Sequence, residues 1–388
     1  MLHRIRDRRL LTVLTAFAVV LLFAACGPKA RQPVGQLDTP EHHTYTGVKL
    51  LNQGKYADAQ REFELALQLN GKFSLAHAGM GLVKACQGDM KAGFESMKNA
   101  KKYAKTNEEK VTHAVGAIRL HTMNAPGDKG WLEKAKDAYD DAILVDPKAP
   151  APCFFMGKAY KQALEFHSAG QMFAKVLELK GEYTGEADAE WNLVQKIQRA
   201  MPGTITGKKI AIVERITRAD AAALFMEELK IDVLYERRTK KTFDTSFKDP
   251  EKAKVIAAPK SAADINNHPL RADIEGLLAI GVRGLEINPD GNFRPDDIVD
   301  RASFAMMVED ILIKVTGDSA LATKFIGNTS PFPDLRADLA YFNAAMVVTS
   351  RGLMEVKNMT TGEFAPLHPV PGVDGLLVIR KMKEQLKF

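Results

Sequence analysis

Helical hydrophobic spacing dominates the chain. Between about residues 41 and 200, apolar and small residues recur three and four positions apart with charged residues between them. That is the pattern of amphipathic helices with one buried face. The pattern itself repeats. Gly54, Tyr56, Ala59, Phe63 and Ala66 return 34 positions later as Gly88, Met90, Gly93, Met97 and Ala100, and Gly47 returns as Gly81. Ala135, Tyr139, Ala142 and Pro147 keep the same internal spacing, as do Gly157, Tyr160, Ala169 and Phe173. The third unit carries extra residues between its helices, from Ala125 to Gly130. This spacing predicts helix-turn-helix units. Gly47, Gly81 and Gly157, with Ala59, Ala135 and Ala169, let two helices approach closely, while Phe63, Tyr139 and Phe173 fill the gap to the next unit. No such unit buries its apolar face alone, so the units must stack. Residues 186–200, with Trp191, Leu193, Val194 and Ile197, read as a closing helix.

The N-terminus follows a different pattern. Residues 1–9 hold four arginines, and Leu10 to Phe23 is a run of 14 residues that are apolar apart from two threonines. A spanning helix needs about 20 apolar residues, whereas the hydrophobic region of a signal peptide has about 7–15. Residues 1–25 therefore read as an export signal ending Leu22-Phe23-Ala24-Ala25-Cys26-Gly27. Two readings follow cleavage after Ala25: a free N-terminal cysteine or a lipidated one. Small residues before a cysteine resemble the lipobox of bacterial lipoproteins, although Phe23 stands where that family usually has an aliphatic residue. The resemblance implies a lipoprotein with acyl chains such as palmitate on Cys26. With Gly27 in place of an aspartate, it further implies an outer-membrane location facing the periplasm. Residues 26–40, with Pro28, Pro33, Gly35 and Pro40, read as a flexible tether.

The 34-residue period and the residues that carry it resemble the tetratricopeptide repeat. That resemblance implies an all-α stack of helical hairpins over residues 41–200, holding a protein partner on the faces of its first helices. By register those faces present Thr44, Val48, Leu51 and Asn52, then Ala78, Leu82 and Cys86, then Lys158, Lys161 and Gln162. The polar members, Thr44, Asn52, Lys158 and Lys161, are the expected partner contacts. The two lysines favour an acidic or carboxylate-bearing segment. Cys86 and Cys153 fall two repeats apart and read as small buried residues rather than a disulfide.

Residues 201–388 carry a second pattern. Ile274 to Leu278 leads to Gly281-Val282-Arg283-Gly284, then Pro289-Asp290-Gly291-Asn292-Phe293-Arg294-Pro295, then Val299-Asp300-Arg301-Ala302-Ser303-Phe304-Ala305. Physically this is a helix stopped by glycine, an Asp-Gly turn, a Phe beside a Pro, and a second helix with Asp300 at its N-cap. Phe332-Pro333-Asp334, Arg351-Gly352, Gly362-Glu363-Phe364-Ala365-Pro366 and a final helix repeat it. A further half-copy is Ile216-Thr217-Arg218-Ala219-Asp220, for which the closing helix 186–200 is the expected first helix. These motifs resemble S-layer homology repeats, giving copies at about 205–230, 264–316 and 331–388. The resemblance implies an all-α module that binds peptidoglycan or an acidic cell-wall polymer. The arginine of the Thr-Arg-Ala motif would grip ligand carboxylates there. Carried over, it assigns glycan binding to Arg218, Arg301 and Thr217, with Arg283 as a further candidate. Asp300 replaces the threonine in the second motif, and the last copy, Val370-Pro371-Gly372-Val373, has no arginine.

Composition adds little to this. The 388 residues carry a net charge of +6, half of which comes from four arginines and Asp7 in the first 25 residues. A basic isoelectric point is thus weak support for nucleic-acid binding. The run Arg237-Arg238-Thr239-Lys240-Lys241 reads as a solvated loop. The nine histidines show no metal-ligand spacing, and no phosphate loop, nucleophile elbow or cofactor motif is present. The expected function is that of a non-enzymatic outer-membrane lipoprotein adaptor joining a protein partner to envelope glycan. The alternative is an assembly or secretion accessory lipoprotein whose second half is only a scaffold.

Overall fold

The computed structural model describes residues 30–238 and 262–386. The signal segment 1–25, Cys26, the side chains of Arg237 and Arg238, and the rest of the basic run lie outside the described residues. The described chain forms two compact units, one ending at Asp188 and the other starting at Ala189. Every regular element described is helical, and the only strand-like contacts among the described residues are isolated bridges.

The first unit contains α1 (Pro40–Asn52), α2 (Tyr56–Leu69), α3 (Ser74–Cys86), α4 (Met90–Tyr103), α5 (Asn107–Met123), α6 (Trp131–Val145), α7 (Pro150–Gln162) and α8 (Phe166–Leu179). Each consecutive pair is a hairpin. Each first helix packs on the next first helix, α1 on α3, α3 on α5 and α5 on α7, and each second helix packs on the following hairpin. These are tetratricopeptide-type hairpins, and their small residues act as expected. A Cβ on Gly47 would lie 2.7 Å from the Phe63 ring, and one on Gly79, in the next hairpin, would lie closer still. Phe63 is therefore clamped between two glycines and is fully buried. Met97 is held likewise between Gly81 and Gly116, and Phe173 stands against Gly157 at the same 2.7 Å. Cys153 is buried, Cys86 is half-buried, and both are free thiols.

The tether expected over residues 26–40 needs correction in its described part. The Arg31 N–H donates to the Gln68 carbonyl at 2.8 Å. The Arg31 guanidinium makes a two-pronged contact with Asp38 at 2.7 and 2.5 Å. The His43 ring bridges Asp38 at 2.9 Å and Glu62 at 2.7 Å. Residues 31–38 are thus fastened to the first hairpin by the Arg31–Gln68 backbone bond and by the Asp38–His43 pair, which His43 extends to Glu62. Thr39 then caps α1 by accepting from the His42 N–H.

Helix α9 (Thr184–Ala200) begins before the unit boundary and ends after it. The second unit continues with α10 (Ile205–Ala211), α11 (Arg218–Ala223) with its π-turn Leu224–Glu228, α12 (Ile231–Arg238), α13 (Arg271–Ile280), α14 (Arg301–Thr316), α15 (Phe342–Ser350) and α16 (Gly372–Leu386). Three copies are arranged around an approximate threefold axis. At that axis the Ile216 N–H donates to the Val370 carbonyl, Val370 to Val299, and Val299 to Ile216, at 2.9, 3.0 and 3.0 Å. The last two copies superimpose in sequence with a shift of 71, which takes Gly281 to Gly352, Gly291 to Gly362, Phe293 to Phe364 and Arg301 to Gly372. All four turn glycines have positive φ. Asp264 accepts from the backbone of Phe293 and Arg294, and Asp334 accepts in the same way from Phe364 and Ala365.

The first helix of each copy packs on the second helix of the copy before it: α13 on α11, α15 on α14, and α10 on α16. The short helix α10 therefore takes the place expected for the closing helix 186–200. Thr204 caps it, and the buried Glu228 carboxylate accepts from the Gly203 and Thr204 N–H groups at 3.1 and 2.8 Å.

Candidate functional site

Three places hold the residues singled out by sequence. The first is the row formed by the first helices α1, α3, α5 and α7. Thr44 is 7% exposed and its hydroxyl is buried without a partner, so it is a packing residue and not a contact. Leu51, Ala78 and Leu82 are also buried. Asn52 and Lys158 are exposed, as are Val48 and Gln162, while Lys161 is half-buried. Lys158 Nζ lies 5.7 Å from the Phe154 ring centroid. Tyr45, 72% exposed on α1, was not expected at this surface.

Arg119 was missed as well. The third repeat has Ile118 where the others have glycine, so its register was not evident. Contact of Met97 with Gly116, matching that of Phe63 with Gly79, sets the register. It places Arg119 in one row with Val48, Leu82 and Lys158. Its guanidinium lies 4.8 Å from the Phe155 ring centroid, and burial pulls its pKa below the ordinary arginine value, with Tyr183 and Cys86 opposing.

The second place is the pair of motif arginines. Arg218 donates through Nε to Phe293 O at 2.8 Å, through one terminal nitrogen to Gly284 O at 2.5 Å, and through the other to Glu286 O at 2.8 Å. Its guanidinium also covers the Phe293 ring at 4.7 Å. Arg301 repeats this one copy on, donating to Phe364 O at 2.7 Å and Glu355 O at 2.5 Å, over the Phe364 ring at 4.8 Å. Burial lowers both pKa values from the ordinary arginine range. These donors are aimed inward, so the expectation of ligand-gripping arginines is corrected for Arg218: it is a clamp on the next copy's turn.

Thr217 is likewise engaged at home. It forms a capping box with Asp220, accepting from the Asp220 N–H and donating to its carboxylate. Arg283 faces the buried Glu309 at 3.4 Å while its N–H donates to Asp310. Burial raises the Glu309 pKa, and Asn343 and Arg283 oppose that rise.

The absence of arginine from the last copy has a structural reason. Gly372 occupies the Arg301 position, and its N–H donates to Val213 O at 2.9 Å. A Cβ there would collide with the Ile210 carbonyl. The first copy turns from α10 to α11 within residues 212–217 and has no Asp-Gly-x-Phe loop. Without a ring to cover, an arginine has no seat.

The third place is a cleft of about 510 Å³ in the second unit. Lys196, Arg199, Arg301, Lys357 and Lys381 line it together with two carboxylates, Glu355 and Asp374. Lys381 pairs with Glu355 at 3.0 Å and Lys196 approaches Asp374 at 3.8 Å. Among the described residues Arg199 and Lys357 have no carboxylate partner. The excess of positive charge registers on Glu355, whose pKa is lowered first by the Lys381 hydrogen bond and further by Lys196 and Arg199. The exposed Met359 and buried Phe304 and Leu353 give the cleft apolar wall.

Comparison with known proteins also points to tetratricopeptide repeats. The chain is similar to human tetratricopeptide repeat protein 6, 28% identical over 136 residues. The match covers 35% of this chain and 24% of the human protein. No protein-family model matches the chain.

Proposed function

We propose that the chain is a non-enzymatic adaptor of a bacterial cell envelope, carried there as a lipoprotein acylated on Cys26 and held at the outer membrane. Its hairpin stack holds a segment of a partner protein along the first helices. Its second unit, read as an S-layer homology module, holds an acidic wall polymer or peptidoglycan in the cleft beside Arg301. The protein-holding part is supported by the continuous packing of α1, α3, α5 and α7, which leaves Tyr45, Val48, Asn52 and Lys158 exposed along one row. A photo-reactive residue at Val48 or Asn52 should trap a partner in cells, and one at Glu64 on α2 should not. Equal trapping from all three positions would overturn this part.

The single observation behind polymer binding is the surplus of cations in one cleft, with Arg199 and Lys357 unpaired among the described residues. Replacing both by Glu should abolish co-sedimentation with peptidoglycan sacculi and leave unfolding by urea unchanged. Wild-type protein that stays in the supernatant at low salt would favour the second reading, a scaffold module in an assembly or secretion lipoprotein. That reading has its own support in Arg218, whose three nitrogens all serve the fold.

A further inference from the structure

We propose that residues 32–37 form a lipid-contacting tip, with Val34 and Leu37 seated in the headgroup and upper acyl region of the bilayer that anchors Cys26. This rests on the reading of Cys26 as acylated and names the surface by which the first hairpin meets the membrane.

The stretch Gln32-Pro33-Val34-Gly35-Gln36-Leu37 holds no ionisable side chain, and every residue of it is exposed. Val34 is 88% exposed and Leu37 68%. Single apolar residues at a surface are common, and on a loose loop they are free to fold back. These two are held out. Arg31 and Asp38 close the loop at its base through two charge-assisted bonds of 2.7 and 2.5 Å, and Asp38 is tied to His43 on α1. The Val34 N–H donates to the Asp38 carboxylate at 2.6 Å, and the Asp38 N–H donates to the Gly35 carbonyl at 3.2 Å. The charges at the base neutralise one another, and two of the loop's backbone donors are satisfied from within. Contact with lipid therefore leaves few polar groups unsatisfied.

Distance to the anchor selects lipid as the occupant. Arg31 stands five residues after Cys26, and five residues span at most about 18 Å whatever their conformation. Arg31 is itself pinned by its N–H to the Gln68 carbonyl at the end of α2. Acyl chains put Cys26 at the bilayer surface, so the base of the loop stays within that reach of a headgroup layer itself about 5–8 Å deep. A tip on so short a leash meets the bilayer at a high effective concentration. Insertion too weak to hold a free protein is then enough to orient a tethered one.

The test uses the full chain, purified with its lipid anchor and reconstituted in vesicles of phosphatidylethanolamine and phosphatidylglycerol. A photo-reactive residue at Gln36 should give adducts carrying the mass of one phospholipid. The same residue at Tyr56, about 18 Å along α2 from Gln68, should not. Val34→Ser combined with Leu37→Ser should lower the Gln36 adduct yield about tenfold. Flotation with the vesicles should stay unchanged, because the acyl chains sustain it. Both side chains are exposed, so the fold is not at risk, and an unaltered urea midpoint checks this. Equal yields from the paired variant, or adducts joining two copies of the chain in place of lipid, would overturn the proposal and leave the anchor reading standing. An N-terminal peptide mass without acyl chains would overturn both.

Discussion

Phe293 lies under the guanidinium of Arg218, 4.7 Å from ring centroid to Cζ, although 75 residues separate the two in sequence. The arginine opens the second helix of one copy and the ring lies in the turn of the next, so this contact joins copies rather than closing one. Arg218→Met should destabilise the second unit by about 2–4 kcal/mol in urea unfolding, because carbonyls of that turn lose their charged donor. Arg218→Lys should recover little, since an ammonium cannot reach three carbonyls at once. Combined with Phe293→Leu, the loss should fall short of the sum by about 0.5–2 kcal/mol; strict additivity would mean that ring and guanidinium act separately.

Gly372→Ala should be more damaging than its size suggests, at about 3 kcal/mol or more. The added methyl meets the Ile210 backbone carbonyl, which cannot rotate away as a side chain would. Calorimetry of the full chain should show one transition lowered and the other unmoved.

Gly157→Ala places a methyl 2.7 Å from the Phe173 ring. A cost of about 1–3 kcal/mol is expected from overpacking. Phe173→Leu in the same molecule should relieve part of it. A double variant as unstable as the two losses added together would show that the ring is not the obstacle.

The fastening of residues 31–38 should depend on pH in both directions. Burial lowers the His43 pKa, but hydrogen bonds to Glu62 and Asp38 outweigh it, so the folded value is raised. Its contribution is therefore complete below the ordinary imidazole value of about 6.5 and lost as pH rises through the raised folded value. Asp38 is held well below the usual carboxylate range by Arg31 first, then by the Val34 N–H and His43. Its contribution is present above about 3.9 and lost as pH falls through the lowered folded value. Hydrogen exchange of the Arg31 amide, corrected for its intrinsic pH dependence, should show maximal protection between these limits. His43→Gln should flatten the alkaline limb and alter the acid limb less, since Arg31 is the main hold on Asp38.

What could be read in advance was what recurs. Gly47 with Phe63 and Gly157 with Phe173 repeat at fixed spacing, so hairpins, their order and their stacking followed from periodicity. Arg119 did not follow, because Ile118 interrupts the glycine series and only the seat of Met97 against Gly116 restores the register. Arg218 and Arg301 stood out as a motif, yet their direction was hidden: the accepting carbonyls lie 54 to 75 residues away and leave no mark in composition. Thr44 looked like a surface residue by position and is buried by its neighbours. The Arg31–Asp38–His43–Glu62 chain was invisible for the same reason, since a Pro-rich stretch gives no hint of charges that meet only in three dimensions.

The two halves obey different rules of growth. A stack of hairpins ends in an open layer, and duplication of one hairpin would simply lengthen it. The circuit through Ile216, Val299 and Val370 is closed, each residue giving its N–H to one neighbour and its carbonyl to the other. A fourth copy would find no vacant donor or acceptor at the centre. Evolution can therefore extend the reach of the first half hairpin by hairpin, while the second half admits change only at its rim.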